Sequence, residues 1–141
     1  MTQEERMLLI KDLSARLPYA VTVEHTSGFR GTLHDIVVHH MYDDNDNVYD
    51  AICYTDFFGD EDSIYIEYFK PYLFPLSSIT TEQRYELHDL IHNLNVLAIN
   101  GEIGDWIVSS SEIDWYNKNH FDYRGLIEKG LAIDATGKNI Y

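Results

Sequence analysis

The sequence predicts an α+β fold, and three observations carry that prediction. The hydrophobic period is helical at the start of the chain, moves towards two residues between Ala20 and about Phe69, and is helical again after Thr80. Connections within the middle block are short, which favours strands paired with their chain neighbours as an antiparallel meander. No internal repeat, low-complexity tract or Pro/Gly/Ser-rich linker interrupts residues 1–141, so sheet and helices are expected to share one core as a single domain.

Thr2-Gln3-Glu4-Glu5 is a capping box: the Thr2 hydroxyl can accept from the Glu5 N–H while the Glu5 carboxylate accepts from that of Thr2. Met7, Ile10, Leu13 and Leu17 then repeat at three- and four-residue steps until Pro18, predicting a helix over about 3–16. Four strands follow, rich in the Val, Ile, Tyr and Thr that suit a pleated, half-buried surface. The first lies near 20–25, with Val21 and Val23 on one face, and Ser27-Gly28 turns into a second near 31–41. Asp43-Asp44-Asn45-Asp46-Asn47 reads as a hairpin turn leading to a third strand, Val48 to Tyr54. The acidic turn Gly59-Asp60-Glu61-Asp62 precedes a fourth, Ile64 to about Phe69.

Pro71 and Pro75 bracket Tyr72-Leu73-Phe74, which predicts an ordered crossing segment. About three helices are expected after it. Thr80 with Gln83 forms a second capping box before the stripe Leu87, Leu90, Ile91 and Leu94, ending ahead of Gly101. Ser109 with Glu112 marks a short helix to about Lys118, and Asp122 is placed to cap a last one that stops at Gly130.

Composition excludes several classes. With 24 Asp and Glu against 10 Lys and Arg the formal charge is -14, while 45% of residues are apolar, as in globular proteins and unlike disordered ones. Cys53 is the one cysteine, which rules out an internal disulfide and a paired-cysteine zinc or redox motif, and fits a reducing, cytoplasmic setting. The acidic start after Met1 does not read as an export signal, and no apolar run approaches the roughly 20 residues of a membrane span. Phosphate-loop, dinucleotide-binding and nucleophile-elbow motifs are missing, and the few scattered basic residues disfavour direct nucleic-acid binding.

Charge is distributed unevenly. No Lys or Arg falls between Arg30 and Lys70, whereas ten carboxylates do: Asp35, Asp43, Asp44, Asp46, Asp50, Asp56, Asp60, Glu61, Asp62 and Glu67. Such a block is either a solvated face or an attraction for a basic partner or a cation. DDNDNVYD at Asp43–Asp50 alternates oxygen ligands, but the glycine and final glutamate of a calcium loop are replaced by Val48 and Tyr54. His88-Asp89-Leu90-Ile91-His92 sets two imidazoles one helical turn apart, the spacing of a zinc-gripping pair, with Glu86 or Asp89 as a nearby carboxylate. His39-His40, adjacent on a strand, face opposite sides, and Cys53 in a strand reads as a small buried hydrophobe.

Two stretches, KPYLFPLSS from Lys70 to Ser78 and DWYNKNHFDYRGLIEKGLAIDA from Asp114 to Ala135, carry a resemblance. They resemble a group of small uncharacterised proteins of Bacteroidales bacteria and their phages or mobile elements. The resemblance implies a setting in which a small protein acts on another protein, with no activity and no functional residue attached.

The function expected is a small acidic, non-enzymatic protein-binding module with a basic partner and no cofactor. Its contact residues are expected among Asp43, Asp44, Asp46, Asp60, Glu61 and Asp62, which in one form imitate nucleic-acid phosphates, together with Tyr72, Tyr123 and Arg124 as aromatic and guanidinium anchors. The alternative is a metal-binding domain or metal-dependent enzyme using His88 and His92. A third possibility is self-association through an edge strand of the meander.

Overall fold

A computed structural model of the chain describes residues 1–42, 47–55 and 62–141. Both capping boxes form as the sequence predicts. Glu5 N donates to Thr2 Oγ1 at 3.1 Å and Thr2 N to the Glu5 carboxylate at 2.7 Å, opening helix α1 (Gln3–Arg16). Gln83 N donates to Thr80 Oγ1 at 3.2 Å and Thr80 N to the Gln83 side chain at 2.9 Å, opening α2 (Thr81–Ile99). A third helix, α3, spans Asp105–Lys118.

The sheet is mixed and larger than the expected meander. Strands β1 (Thr22–His25), β2 (Arg30–Tyr42), β3 (Asn47–Thr55) and β4 (Asp62–Tyr65) pair antiparallel in succession, which is the predicted part. The fourth strand ends at Tyr65, and a 3₁₀ turn, Ile66–Tyr68, separates it from β5 (Phe69–Pro75). β5, expected as a crossing segment, is a strand antiparallel to β1. Two further short strands, β6 (Phe121–Asp122) and β7 (Ile133–Asp134), pair with it in parallel. The order is β4-β3-β2-β1-β5-β6, with β7 also on β5.

The prolines of β5 fit because its neighbours change along its length. β1 pairs with Phe69, Lys70 and Pro71, β7 with Tyr72 and Leu73, and β6 with Phe74 and Pro75. Pro71 therefore sits where β5 has a strand on one side, the condition under which a residue without an N–H is tolerated.

α1 packs on one face of the sheet. Leu9, Ile10 and Leu13 meet Val21, Val23, Leu33, Ala51, Cys53, Ile66, Phe69 and Leu73, closed at the C-terminal side by Leu126, Leu131 and Ala132. The two-residue period holds within β3 and β5 but slips in β2. A register shift between Leu33 and Asp35 inserts one residue, which brings Ile36 against the same core as Leu33 across an odd spacing.

Two helix expectations are corrected. α3 begins at Asp105 with Gly104 as its N-cap, four residues before the Ser109 signal. Ser109 lies inside the helix, and Ser110 Oγ bonds back to the Ile107 carbonyl at 3.2 Å. The helix expected from Asp122 to Gly130 is instead β6 followed by turns. Gly125 takes φ +72, a left-handed conformation that a helix interior excludes, and Gly130 takes φ +70. The Asp122 carboxylate still caps this segment, accepting from Leu126 N at 2.9 Å and Ile127 N at 2.8 Å.

Candidate interaction surface

Of the acidic contact residues expected from the sequence, Asp43, Asp44, Asp46, Asp60 and Glu61 lie outside the described residues, as does the first half of the calcium-like run. Asp62 opens β4 opposite Thr55. The aromatic and guanidinium anchors are placed inward, and each placement has a physical cause.

Tyr72 is 1% exposed. β5 is covered on both faces: Phe69 and Leu73 point to the α1 core, while Tyr72 and Phe74 face a second layer that includes Phe121 and Tyr141. The Tyr72 hydroxyl donates to the Glu24 carboxylate, which also accepts from Arg30 Nε at 3.0 Å, and the Arg30 guanidinium lies 5.1 Å over the Tyr72 ring. The Tyr72 hydrogen bond, with that of Arg30, holds the Glu24 carboxyl below its ordinary range, while burial and then Glu24 raise the Tyr72 phenol. The two groups are driven apart in proton affinity, away from the near-neutral range that general acid–base work requires.

Tyr123 and Arg124 belong to a buried polar cluster beneath α1. Asp12 and Arg16, both fully buried, form a two-pronged pair: Arg16 Nε donates at 2.7 Å and Nη2 at 3.1 Å. Arg16 Nη2 also donates to the Phe121 carbonyl at 2.7 Å, tying the helix to β6. Arg124 brings its Nε to 3.3 Å from Asp12 Oδ1, and its side chain is 18% exposed. The Tyr123 ring takes Arg16 at 5.5 Å and Arg124 at 4.7 Å, and stacks on Tyr116. The carboxylate Arg124 meets is thus on α1, and residues after Asp122 do not continue as a helix.

Beside this cluster His120, with φ +59, stacks face to face on Tyr141, ring centroids 3.6 Å apart. The Tyr141 hydroxyl donates to the Tyr72 carbonyl at 2.8 Å and accepts from Thr22 N at 3.1 Å. Burial, with Arg16 nearby, lowers the His120 pKa to about 4; burial raises that of Tyr141 to about 12. Both groups are neutral at pH 7 and serve to fasten the last residues across β1 and β5.

His88 and His92 stand on α2 as the spacing predicts, their rings parallel and 6.3 Å apart. His88 is 77% exposed and has Asp89 3.8 Å away. Among the described residues no three His, Cys, Asp or Glu side chains gather to hold a metal ion.

The feature that sequence reasoning missed is the state of α2 itself. Its stripe of Leu87, Leu90, Ile91 and Leu94 is only half-buried, and no residue of the helix is fully buried. Its principal neighbour is α3, with Trp115 Nε1 donating to Glu86 at 3.2 Å near the base of the helical hairpin. Large apolar side chains remain in solvent along the pair: Tyr85 at 68%, Ile99 at 84% and Trp106 at 72%, with Val96, Leu97 and Ile113 also exposed. Tyr85 and Val96 are separated by about three turns, so they share the face opposite the stripe, with Ile99 beside them. That second apolar face was legible in the sequence, but its exposure was not.

Comparison with protein-family models, with curated proteins and with solved structures returned no match. Among the described residues no helix is long and apolar enough to cross a membrane.

Proposed function

We propose that this chain is a non-enzymatic, acidic protein-binding module whose partner is basic. The observation that carries the reading is the α2–α3 hairpin, which keeps Tyr85, Ile99 and Trp106 in solvent. Exposed apolar side chains gathered on one element and rimmed by polar ones mark interaction sites. Tyr and Trp contribute large contact area at low entropic cost.

Charge supplies the sign of the partner. Between Arg84 and Lys118 there is no Lys or Arg, while Glu86, Asp89, Glu102, Asp105, Glu112 and Asp114 fall there. The same asymmetry runs from Arg30 to Lys70 through the strands, where Asp43, Asp44, Asp46, Asp60, Glu61 and Asp62 add to a long-range attraction for cationic surfaces. The metal reading has two exposed imidazoles and no third ligand beside them among the described residues.

The test is a tagged pull-down from host-like lysate across a salt series, with an Ile99→Ser/Trp106→Ser variant and a variant neutralising the six strand-block carboxylates. The expected result is a basic protein retained by the wild type, lost in the hairpin variant and captured less well by the neutralised one. Retention indifferent to both variants, or no retained protein, overturns the reading.

A further inference from the structure

We infer that the tip of the α2–α3 hairpin is the seat of a cationic amphipathic helix from another protein, which docks as a third helix on this pair. The inference rests on the protein-binding reading above and names the partner's chemistry.

Three properties of the tip select that occupant. The end of α2 and the start of α3 are joined by residues 100–104, so Val96, Leu97, Ile99 and Trp106 are collected at one end of the hairpin. Gly104 is part of that surface: a Cβ there would lie 2.8 Å from the Trp106 indole, so the missing side chain lets the ring fold back over the connection. Two helices that cover each other along one side leave their outer apolar residues for a third, the arrangement of helix-in-groove recognition.

Charge then decides between occupants. The tip carries Glu102 and Asp105, the hairpin has no Lys or Arg between Arg84 and Lys118, and the whole chain stands at -14. A second copy would bring like charge against like, whereas a helix with an apolar stripe flanked by Lys or Arg would meet both the indole and isoleucine and the carboxylates.

The experiment uses the full chain and three synthetic peptides of about 18 residues, long enough to form a helix on binding. One has a leucine stripe with lysines on the other face, one has the same residues in scrambled order, and one has glutamate in place of lysine. Trp106 reports directly, since of the two tryptophans Trp115 is 5% exposed and Trp106 is 72% exposed. The expected result is a blue shift in emission with the striped lysine peptide, bound about tenfold or more tighter than either control. Ile99→Ser and the pair Glu102→Gln/Asp105→Asn should each weaken it about tenfold, and Glu4→Gln on α1 should not. Equal binding of the scrambled peptide, or full binding by Ile99→Ser, would overturn the inference, since charge alone would then account for it. A dimer in light scattering that Ile99→Ser dissolves would also overturn it, by giving the tip to a second copy while leaving the protein-binding reading intact. No binding by any peptide, together with an empty pull-down, would remove both.

Discussion

Replacing Asp12 with asparagine removes one charge from a place that water does not reach, and the structure fixes what is left behind. The Arg16 guanidinium, fully buried, would keep its bond to the Phe121 carbonyl but lose the carboxylate that receives two of its N–H groups at 2.7 and 3.1 Å. Arg124, 3.3 Å from the same carboxylate, would lose its partner as well. Breaking a buried pair by removing one member costs about 3–5 kcal/mol, because the remaining charge is desolvated without compensation. Against the 5–15 kcal/mol typical of a domain that is a large share, equivalent to roughly 10 °C in the melting temperature. Urea unfolding of Asp12→Asn, Arg124→Gln and the double variant Asp12→Leu/Arg16→Met measures it. The order expected is a loss of about 4 kcal/mol for Asp12→Asn and about 1 for the partly exposed Arg124→Gln, with much of the first loss recovered in the apolar double variant. A loss below about 1 kcal/mol for Asp12→Asn would mean that water reaches the pair.

Three further outcomes follow from particular residues. His120 is neutral in the fold down to about pH 4, whereas the unfolded chain takes up its proton near 6.5. The unfolded state therefore binds more protons across that window, and the His120 contribution to stability is full above pH 6.5 and falls as pH drops to about 4. The difference corresponds to about 3 kcal/mol, reduced to about 2 by partial solvent screening. His120→Phe, which cannot take a proton, should show a stability profile flatter by that amount between pH 6.5 and 4, and identical slopes in the two proteins would contradict it. Gly125→Ala should cost about 1–2 kcal/mol in the same unfolding assay, since φ +72 is strained for alanine though no atom stands within 4 Å of the added carbon. A neutral result would mean that the turn relaxes. Cys53, fully buried, should react with a thiol reagent only at the rate of opening or unfolding, and rapid labelling of native protein would contradict its place in the core.

What the sequence made legible was local chemistry. Thr2 with Glu5 and Thr80 with Gln83 are read from four residues each, and both caps form with the predicted bonds. Val21 and Val23 show their shared face by spacing alone, and both are fully buried. The errors arise where a local signal is overruled by distant pairing. Tyr72-Leu73-Phe74 between prolines carries no strand pattern of its own, and it is a strand because β1, β6 and β7 bring partners to it. Asp122 is a good cap in either outcome; it caps a turn because Gly125 leaves the helical region and Arg124 is drawn to Asp12. Ser109 resembles a helix start, but the helix had already begun at Asp105.

The candidate surface divides in the same way. Tyr, Trp and Arg are the right residue types for contact, but type does not say which of them face solvent. Tyr72, Tyr123 and Arg124 were consumed by the interior, through Glu24, Tyr116 and Asp12 respectively. Ile99, on the face of α2 turned away from the stripe, and Trp106, at the start of α3, remain in solvent, and α2 has α3 as its principal neighbour. Periodicity states which face of a helix is apolar, and it is silent on whether anything lies against that face.

The most direct test is amide hydrogen exchange of the full chain, free and with the striped lysine peptide. Added protection is expected only at the end of α2 and the start of α3, about residues 94–108, with the strands and the Asp12–Arg16 cluster unchanged. Protection centred on the strands, or spread evenly over the acidic surface, would contradict the claim that the uncovered hairpin is where this protein meets its partner.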